Sequence, residues 1–459
     1  MPEPTHALLP SEPVETFDDY HDAGGGRGLE RALGLDPTDV IEEVRRSGLR
    51  GRGGAGFPTG TKWASVVEAG QASTVYLACN AAEGEPGTYK DRMLMARNPY
   101  QLVEGVLIAM YAIGAPRAFI GVKGSFTTER QRVIQARDAA LAAGWPGAQE
   151  LKVVFGPDDY LFGEESGLLE VIEGKLPLPR ILPPYQVGLF ATMAQANPTV
   201  VNNVETLSNV PRIMADGAQA YRGRGTQEAP GTMVFTVVGD VPRAGVHELP
   251  LGTSLRTLVC EIAGARADDV QAIIPGTSNT ALPGTLLDLP MDFDSFAEAG
   301  SGLGSGGFLI YDSSRDMVQV TAVLARFLAE ESCGQCLACK LGTAAMWQLL
   351  DRLVAGDGTE ADIDGIRSRT LTVSDGNRCY LPVGAALLIR SAVDTFEDAF
   401  LARIGSPSPP EVAVRAPKIA SIDQDAGQVT YVGEDATRSL TPRIAGTPSE
   451  DRSVRHSGR

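Results

Sequence analysis

Two hydrophobic periods alternate along the first half of the chain. Three short apolar runs have the length and β-branched content of buried strands: STVYLACN (73–80), AFIGVKG (118–124) and LKVVFGP (151–157). Helical patterns separate them, the clearest being NPYQLVEGVLIAMYAIGA (98–115). Strands that alternate with helices are typical of a parallel sheet with helices on its faces. We therefore expect an α/β domain over residues 31–225.

The pattern changes at Pro230. Short strand-like runs surround one helical stretch, TLVCEIAG (257–264), and predict a compact α+β module over residues 226–310: GTMVFTVVGDV, GVHELPLGTSL and VQAIIPG. Apolar residues then recur at spacings of three and four, as in MVQVTAVLARFLAEES (317–332). This spacing predicts a helical bundle over residues 311–405.

Both ends of the chain lack such periodicity. Residues 1–30 are polar and run into Gly24-Gly25-Gly26, so we expect a flexible, extended N-terminal arm. Residues 406–459 begin with the linker SPSPPE and form a tail whose role the sequence does not indicate. Two alternating runs in this tail, KIASID and QVTYVG, could pair as a hairpin.

The composition excludes several functions. The 459-residue chain is 43% hydrophobic and 21% charged, as in a globular protein, and its formal net charge of -17 argues against nucleic-acid binding. No run reaches the ~18 apolar residues of a membrane span. The N-terminus has no charged-then-apolar signal, so we expect a cytoplasmic protein without direct membrane insertion. Six cysteines in so long a chain do not make a disulfide scaffold.

The motif ESCGQCLACKLGT (331–343) concentrates three of those cysteines. Cys333, Cys336 and Cys339 are each separated by two residues, and Cys379 follows forty residues later. A zinc site normally uses two separated C-x2-C pairs or adds histidine, and no histidine lies near this motif. The spacing favours a cubane iron–sulfur cluster, whose four irons each take one thiolate. A zinc site and unligated structural cysteines remain the alternatives.

The stretch GLRGRGGAGFPTGTKW (48–63) contains a G-x-G-x-x-G string. As a dinucleotide fingerprint the string is weak, because a helix precedes it and Pro58 follows it. A glycine-rich turn is the simpler interpretation. However, the loop also carries two cations and an aromatic ring that could bind a planar or phosphorylated ligand: Arg52, Lys62 and Phe57.

Two acidic loops have a similar character. CNAAEGEPGTYKDR (79–92) places Glu83 and Glu85 directly after a strand, where open α/β sheets bind ligands. DDYLFGEESGLLEVIEG (158–174) places Glu164 and Glu165 before a helix. These acids could simply stabilise the helix start, by ~0.3–1 kcal/mol. Carboxylates can also bind ribose hydroxyls, and they repel a 2′-phosphate.

Together with PTVVNNVETL (198–207), these motifs make the chain resemble a known family from about residue 40 to 400. It is similar to the flavoprotein subunit of NADH:quinone oxidoreductase, respiratory complex I. It also resembles the related diaphorase subunits of NAD-dependent formate dehydrogenases and bidirectional hydrogenases.

The resemblance implies a Rossmann-like FMN domain, a β-grasp (ubiquitin-like) module and a helical bundle that carries one [4Fe–4S] cluster. It also implies NADH oxidation by hydride transfer to FMN, with electrons passed singly to the cluster. The partners would be a thioredoxin-like [2Fe–2S] subunit and further iron–sulfur subunits, which could hold the chain at the periphery of the cytoplasmic membrane.

The implied site residues follow from the matching motifs. Phe57 would stack on the nucleotide, Tyr160 would lie near the flavin, and Glu83, Glu165 and Tyr160 would be the catalytic residues. The full implied cofactor-binding set is Gly51, Arg52, Gly53, Gly54, Gly56, Phe57, Lys62, Asn80, Glu83, Glu85, Tyr160, Gly163, Glu164, Glu165, Asn202, Asn203 and Thr206. The implied cluster ligands are Cys333, Cys336, Cys339 and Cys379.

Three departures from the family pattern concern the nucleotide. Ala82 stands where the family has an acid, Ser65 stands where it has an aromatic residue, and about three residues are inserted within FATMAQANPT (190–199). Two other functions therefore stay open. One is a diaphorase role in a formate dehydrogenase or hydrogenase, and the other is a cluster-bearing scaffold that has lost nucleotide binding.

Overall fold

The computed structural model describes residues 6–409 and 418–432. Its first region, residues 6–225, contains the strands β1 (Tyr76–Ala81), β2 (Ala118–Lys123), β3 (Leu151–Gly156) and β4 (Thr199–Asn203). They form one parallel sheet of four strands in the order β3-β2-β1-β4. The predicted parallel sheet is confirmed. The sequence pattern had indicated β1, β2 and β3 but not β4.

Helices cover this sheet. They are α1 (Phe17–Asp22), α2 (Arg27–Leu33), α3 (Pro37–Ser47), α4 (Thr59–Ala69), α5 (Lys90–Arg97), α6 (Pro99–Ala112), α7 (Thr127–Ala142), α8 (Glu165–Ile172), α9 (Val204–Asp216) and α10 (Ala218–Arg222). Helix α6 is buried on nearly every side, as its almost continuous apolar sequence requires. Asn98 caps its start and Pro99 occupies its first turn, where the missing N–H has no cost.

The expectation of an extended N-terminal arm does not hold for residues 6–30. Leu8 and Leu29 are buried in the main core, and α1 and α2 lie within this segment. The buried Glu104 carboxylate of α6 accepts hydrogen bonds from Tyr20 Oη at 2.6 Å and from the Leu29 N–H at 2.9 Å. The apolar anchors are too far apart in the sequence to give a period, so the polar average concealed them.

The second region, residues 226–310, and the first strand residues beyond it form a separate sheet. Its strands are β5 (Thr232–Gly239), β6 (Gly245–Pro250), β7 (Val270–Ile274), β8 (Leu282–Pro283) and β9 (Gly307–Asp312), in the order β6-β5-β9-β7-β8. Only the β5–β9 pair in this sheet is parallel. A helical turn at Thr257–Ile262 and α11 (Phe293–Glu298) pack against it, around Phe235, Phe296 and Phe308.

The third region, residues 311–405, is helical as predicted. It comprises α12 (Met317–Glu331), α13 (Leu337–Val354), α14 (Glu360–Thr370), α15 (Leu381–Thr395) and α16 (Glu397–Ala402). The predicted hairpin is present as the antiparallel strands β10 (Ile419–Asp423) and β11 (Gln428–Tyr431). The rest of the predicted tail, residues 410–417 and 433–459, lies outside the described residues. No helix in the described ranges combines the length and apolar content that a membrane crossing requires.

Candidate functional site

A cavity of about 620 Å³ opens at the carboxyl ends of β1 and β4, and all three regions contribute to its wall. Every cofactor-binding residue expected from the sequence lines it except Arg52: Gly51, Gly53, Gly54, Gly56, Phe57, Lys62, Asn80, Glu83, Glu85, Tyr160, Gly163, Glu164, Glu165, Asn202, Asn203 and Thr206. The carboxyl edge of a parallel sheet is where open α/β folds bind ligands. The volume lies within the ~300–1,000 Å³ range of small-molecule sites.

The glycine loop forms one side of this cavity. It joins α3 to α4, so it is not the strand-to-helix turn of a dinucleotide fingerprint. The Gly51 N–H donates to the Phe57 carbonyl at 2.9 Å and closes the loop. Gly54 has a φ of +126°, and nothing lies within 4 Å of the position its Cβ would occupy. The loop therefore presents bare backbone to the cavity, while the Phe57 ring is 52% exposed.

Arg52 does not supply charge to this cavity. Its side chain is completely buried and points away from the cavity, where Nη2 donates to the Thr232 carbonyl at 3.0 Å and to Tyr221 Oη at 3.1 Å. Its Nε lies 3.9 Å from the Glu205 carboxylate. The Arg52 backbone N–H donates to Thr206 Oγ1 at 2.8 Å, so the residue holds the glycine loop against α9. The expectation that its guanidinium faces a ligand is therefore wrong.

Glu83 lies at the start of α5. Its carboxylate accepts from the N–H groups of Asp91 at 3.1 Å and Arg92 at 3.2 Å. Burial, with the negative charge of Asp91, raises the pKa of Glu83 to about 7. This carboxyl group can therefore exchange a proton near neutral pH while it faces the cavity.

A buried ion cluster supports the floor beneath Glu83. Lys90 is fully buried, and its Nζ lies 2.8 Å from Asp91 Oδ1 and 2.9 Å from Glu205 Oε2. Burial alone would lower the pKa of Lys90, but the two carboxylates outweigh burial and raise it. Asn203 donates to Asp91 Oδ2 at 2.6 Å, which connects the end of β4 to the same cluster. A charge cluster that is fully paired in this way holds its members in one geometry.

Glu85 ties the first region to the second. Its Oε1 accepts from Thr277 N at 2.5 Å and from Thr277 Oγ1 at 2.8 Å, and its Oε2 accepts from Tyr160 Oη at 2.5 Å. Burial, and then the Glu85 charge, raises the pKa of Tyr160 well above its usual value. Tyr160 therefore keeps its proton and faces the cavity as a fixed donor to Glu85.

Glu164 and Glu165 have different environments. Glu164 caps α8, since its Oε2 accepts from the N–H groups of Ser166 at 2.9 Å and Gly167 at 2.7 Å. The simpler, helix-start interpretation therefore describes Glu164. Glu165 is half exposed, and its Oε1 lies 2.6 Å from Lys62 Nζ. This ion pair joins the helix after the glycine loop to the helix after the second acidic loop.

The asparagines at the cavity floor are held by hydrogen bonds to the protein. Asn202 accepts from Trp63 Nε1 at 2.7 Å, and Asn80 donates to the Gly163 carbonyl at 2.6 Å. Of the two single-residue departures, Ala82 lines the cavity and Ser65 is exposed on α4, where its Oγ donates to the Lys62 carbonyl at 3.0 Å. Ala82 is thus the departure that a bound ligand would contact.

The four predicted cluster ligands line a second, smaller cavity: Cys333, Cys336, Cys339 and Cys379. Cys336 immediately precedes α13, and Cys379 lies two residues before α15. Helix starts favour negative charge, so this placement suits thiolates. The Ser332 hydroxyl lies 3.2 Å from Cys339 Sγ.

Among the described residues, no three His, Cys, Asp or Glu side chains converge closely enough to hold a single metal ion. Zinc would draw its thiolates to within about 2.3 Å of one point. In a cubane each thiolate binds a different iron, so the sulfurs stand farther apart. Four cysteines around one cavity, without close convergence, therefore fit a [4Fe–4S] cluster better than zinc.

The two cavities share a wall. Leu161, Cys379 and Leu381 line both of them. A ligand in the larger cavity and a cluster in the smaller one would therefore be separated by little more than these side chains.

The sequence analysis missed the contribution of the second region to the larger cavity. Two of its loops supply lining residues: Pro275, Gly276, Ser278, Asn279, Gly302, Gly304 and Ser305. The glycine-rich run GSGLGSGG (300–307) was an available signal. Only the packing of the two sheets brings these loops to the cavity.

Two family models match the chain. Residues 44–212 match the Nuo51 FMN-binding domain, and residues 319–403 match the NADH-ubiquinone oxidoreductase-F iron-sulfur binding region. The second of the F subunits of NADH-quinone oxidoreductase in Rhizobium meliloti is 41% identical over 84% of this chain and 93% of the relative. The F subunit of the same enzyme in Aquifex aeolicus is 37% identical over 84% and 90%. A crystal structure of an NAD⁺-reducing [NiFe]-hydrogenase in the H2-reduced state matches with a TM-score of 0.75 and 32% identity, covering 87% of this chain and 68% of that one.

Proposed function

The chain belongs to the family of F subunits of NADH-quinone oxidoreductase, and we propose that it oxidises NADH at an FMN and passes single electrons to a [4Fe–4S] cluster. One observation carries this proposal. The cavity with the expected nucleotide residues and the cavity with the four cysteines share a wall formed by Leu161, Cys379 and Leu381. When bound, a flavin takes two electrons as hydride and releases them singly, which is the form an iron–sulfur cluster accepts.

The chain's own residues divide the work of binding. The exposed backbone of Gly53 and Gly54 leaves room for a phosphate or a ring at the loop, and Phe57 offers a ring for stacking. Glu165 and Glu83 would face the dinucleotide, and the Glu83 carboxyl group can hold or release a proton near neutral pH. Tyr160, fixed on Glu85, would orient the ligand from the side of the cluster.

The domain assignment follows the same lines. We assign the parallel sheet to a Rossmann-like FMN domain over residues 31–225 and the mixed sheet to a β-grasp module over residues 226–310. The helices over residues 311–405 would form the cluster domain. The strand orders β3-β2-β1-β4 and β6-β5-β9-β7-β8 support these assignments.

A partner protein would receive the electron beyond the cluster. Large apolar side chains next to two of the cysteine ligands are exposed: Leu337, 74% exposed, follows Cys336, and Tyr380, 55% exposed, follows Cys379. Exposed apolar surface of this kind is typical of protein docking. We propose a thioredoxin-like [2Fe–2S] subunit and further iron–sulfur subunits of a cytoplasmic redox complex as these partners.

A diaphorase role in a hydrogenase is a second candidate, because an NAD⁺-reducing hydrogenase is among the structures that the chain resembles. The curated relatives, which are named as subunits of NADH-quinone oxidoreductase, favour the first assignment.

Anaerobic reconstitution tests the proposal. The full chain should bind FMN, iron and sulfide, and NADH should bleach its flavin absorption. Cys336→Ser should lose iron and sulfide but keep FMN, because Cys336 lines only the smaller cavity. Cys260→Ser is the matched control, since Cys260 lies in the second region away from both cavities, and it should keep all three. One zinc without sulfide, or FMN that NADH does not reduce, would contradict the assignment.

A further inference from the structure

The hairpin β10–β11 lies beyond residue 403, where the second family model ends. It contacts elements of all three regions. Arg92 of α5 donates through Nη1 to the Ile419 carbonyl at 3.2 Å. Gln424 exchanges two hydrogen bonds of 2.8 Å with the backbone of Val246 on β6. The third contact, on α12, is made by Lys418.

Tyr160 is the cavity residue nearest to this third contact in the bonding network. Its backbone N–H donates to Glu331 Oε2 at 3.0 Å, and its ring packs edge-on against Phe327 with the centroids 5.3 Å apart. Both partners lie on α12. The Tyr160 hydroxyl donates to Glu85, as described above. The ring therefore has three attachments, two of which α12 supplies.

Lys418 contacts both α12 residues that hold Tyr160. Its Nζ lies 2.8 Å from Glu331 Oε1 and 5.0 Å from the centroid of the Phe327 ring. The Glu331 carboxylate is thus held by Lys418 through one oxygen and by the Tyr160 amide through the other. Lys123 is another cation that faces Glu331, and it is buried. Without Lys418, Glu331 would be drawn toward Lys123 and away from the Tyr160 amide.

We infer that Lys418 is a positioning residue for Tyr160, so that the C-terminal hairpin helps to shape the flavin site. It acts through Glu331 and Phe327 and touches no ligand itself. The inference rests on the proposed function, because only a cofactor in the larger cavity gives the orientation of Tyr160 a consequence.

Hydrogen exchange at the Tyr160 amide is the direct measurement, and it needs no cofactor. In the full chain, Lys418→Met should speed exchange over residues 158–164, because the amide loses a fixed acceptor. FMN binding, measured by quenching of flavin fluorescence, should weaken by about two- to fivefold, which is what a partly exposed ion pair can supply. Lys418→Arg should restore both values, since arginine can also bridge a carboxylate and an aromatic ring.

Gln424→Ala is the control, because it removes the hydrogen bonds of the hairpin to β6 and leaves Lys418 in place. It should speed exchange near Val246 but not at Tyr160. Equal effects of Lys418→Met and Gln424→Ala on Tyr160, or none from Lys418→Met, would overturn the inference. Wild-type protein that does not quench flavin would instead overturn the proposed function, and the exchange measurement would still decide the role of Lys418.

Discussion

At the scale of single residues, the cavity contains carboxyl groups whose proton affinities differ because their neighbours differ. Glu83 has Asp91 as a like-charged neighbour and is removed from water, so its pKa rises to about 7. Glu165 is half exposed and has Lys62 as its partner. Two acids that the sequence places in similar loops are thus suited to different tasks.

The raised pKa of Glu83 makes stability depend on pH. The folded protein binds this proton more tightly than the unfolded chain, so the folded state loses stability as pH rises from about 4.5 to about 7. Glu83→Gln removes the titration and keeps an acceptor oxygen for the start of α5. Relative to wild type, the variant should therefore gain up to about 3 kcal/mol between pH ~5 and pH ~8.

Thermal unfolding across that pH range measures this gain. The exposed Glu68 on α4 provides a control, because Glu68→Gln should follow the wild-type profile. Parallel profiles for Glu83→Gln and wild type would show that Glu83 is ionised throughout.

Glu165 should help the protein select NADH over NADPH. A half-exposed carboxylate near a ribose repels a 2′-phosphate, and one such interaction is worth about 1 kcal/mol, or about fivefold. Glu165→Gln should therefore narrow the NADH-over-NADPH ratio of kcat/KM by about fivefold in a ferricyanide assay, with Glu68→Gln as the unchanged reference. A ratio that stays constant would assign the discrimination to another residue.

At the scale of elements, α6 and α9 approach each other closely enough to exclude a side chain. A Cβ on Gly105 would lie 2.0 Å from the Leu207 carbonyl oxygen of α9, which is backbone and cannot move aside alone. Gly28 of α2 has a similar contact, 2.3 Å from the Pro211 carbonyl oxygen. These contacts place α9, and the β4 end before it, at a set depth under the cavity.

Gly105→Ala should therefore destabilise the protein by about 1–3 kcal/mol, although alanine favours a helix by about 1 kcal/mol. Gly365→Ala on α14 is the matched control. Its Cβ would lie 3.3 Å from the Leu349 Cδ1 atom, the end of a flexible side chain, so the propensity gain should dominate. Calorimetric melting temperatures should shift in opposite directions, and a shift of the same sign in both would refute the close-packing argument.

At the scale of the whole molecule, the larger cavity exists because three regions meet, and Glu85 joins two of them across it. Removing its carboxylate in Glu85→Ala leaves the buried Thr277 hydroxyl and the Tyr160 hydroxyl without this acceptor, at a cost of about 1–3 kcal/mol for an unsatisfied group. We expect faster hydrogen exchange over residues 275–279 in this variant. Glu85→Gln keeps an acceptor oxygen and should lie between alanine and wild type; unchanged exchange in Glu85→Ala would show that sheet packing alone joins the regions.

Local pattern determined much of this protein. The alternating periods predict the parallel sheet and the helical region, the alternation in KIASID and QVTYVG predicts the hairpin, and the spacing of Cys333, Cys336 and Cys339 indicates a shared ligand. Each of these features depends on residues a few positions apart, because strand and helix periods and short-range ligand spacing are local properties. A single sequence is therefore sufficient for them.

Tertiary structure decided which side of each residue is used. Arg52 looks like a phosphate-binding cation in the glycine loop, yet the buried Glu205 and the Thr232 carbonyl draw it inward. Glu85 looks like Glu83 in sequence, yet Thr277 and Tyr160 bind its carboxylate. The loops of the second region, the N-terminal helices and the contact of Lys418 with α12 also depend on residues distant in the chain. Burial and hydrogen-bond partners arise only when distant segments pack together, so no local period records them.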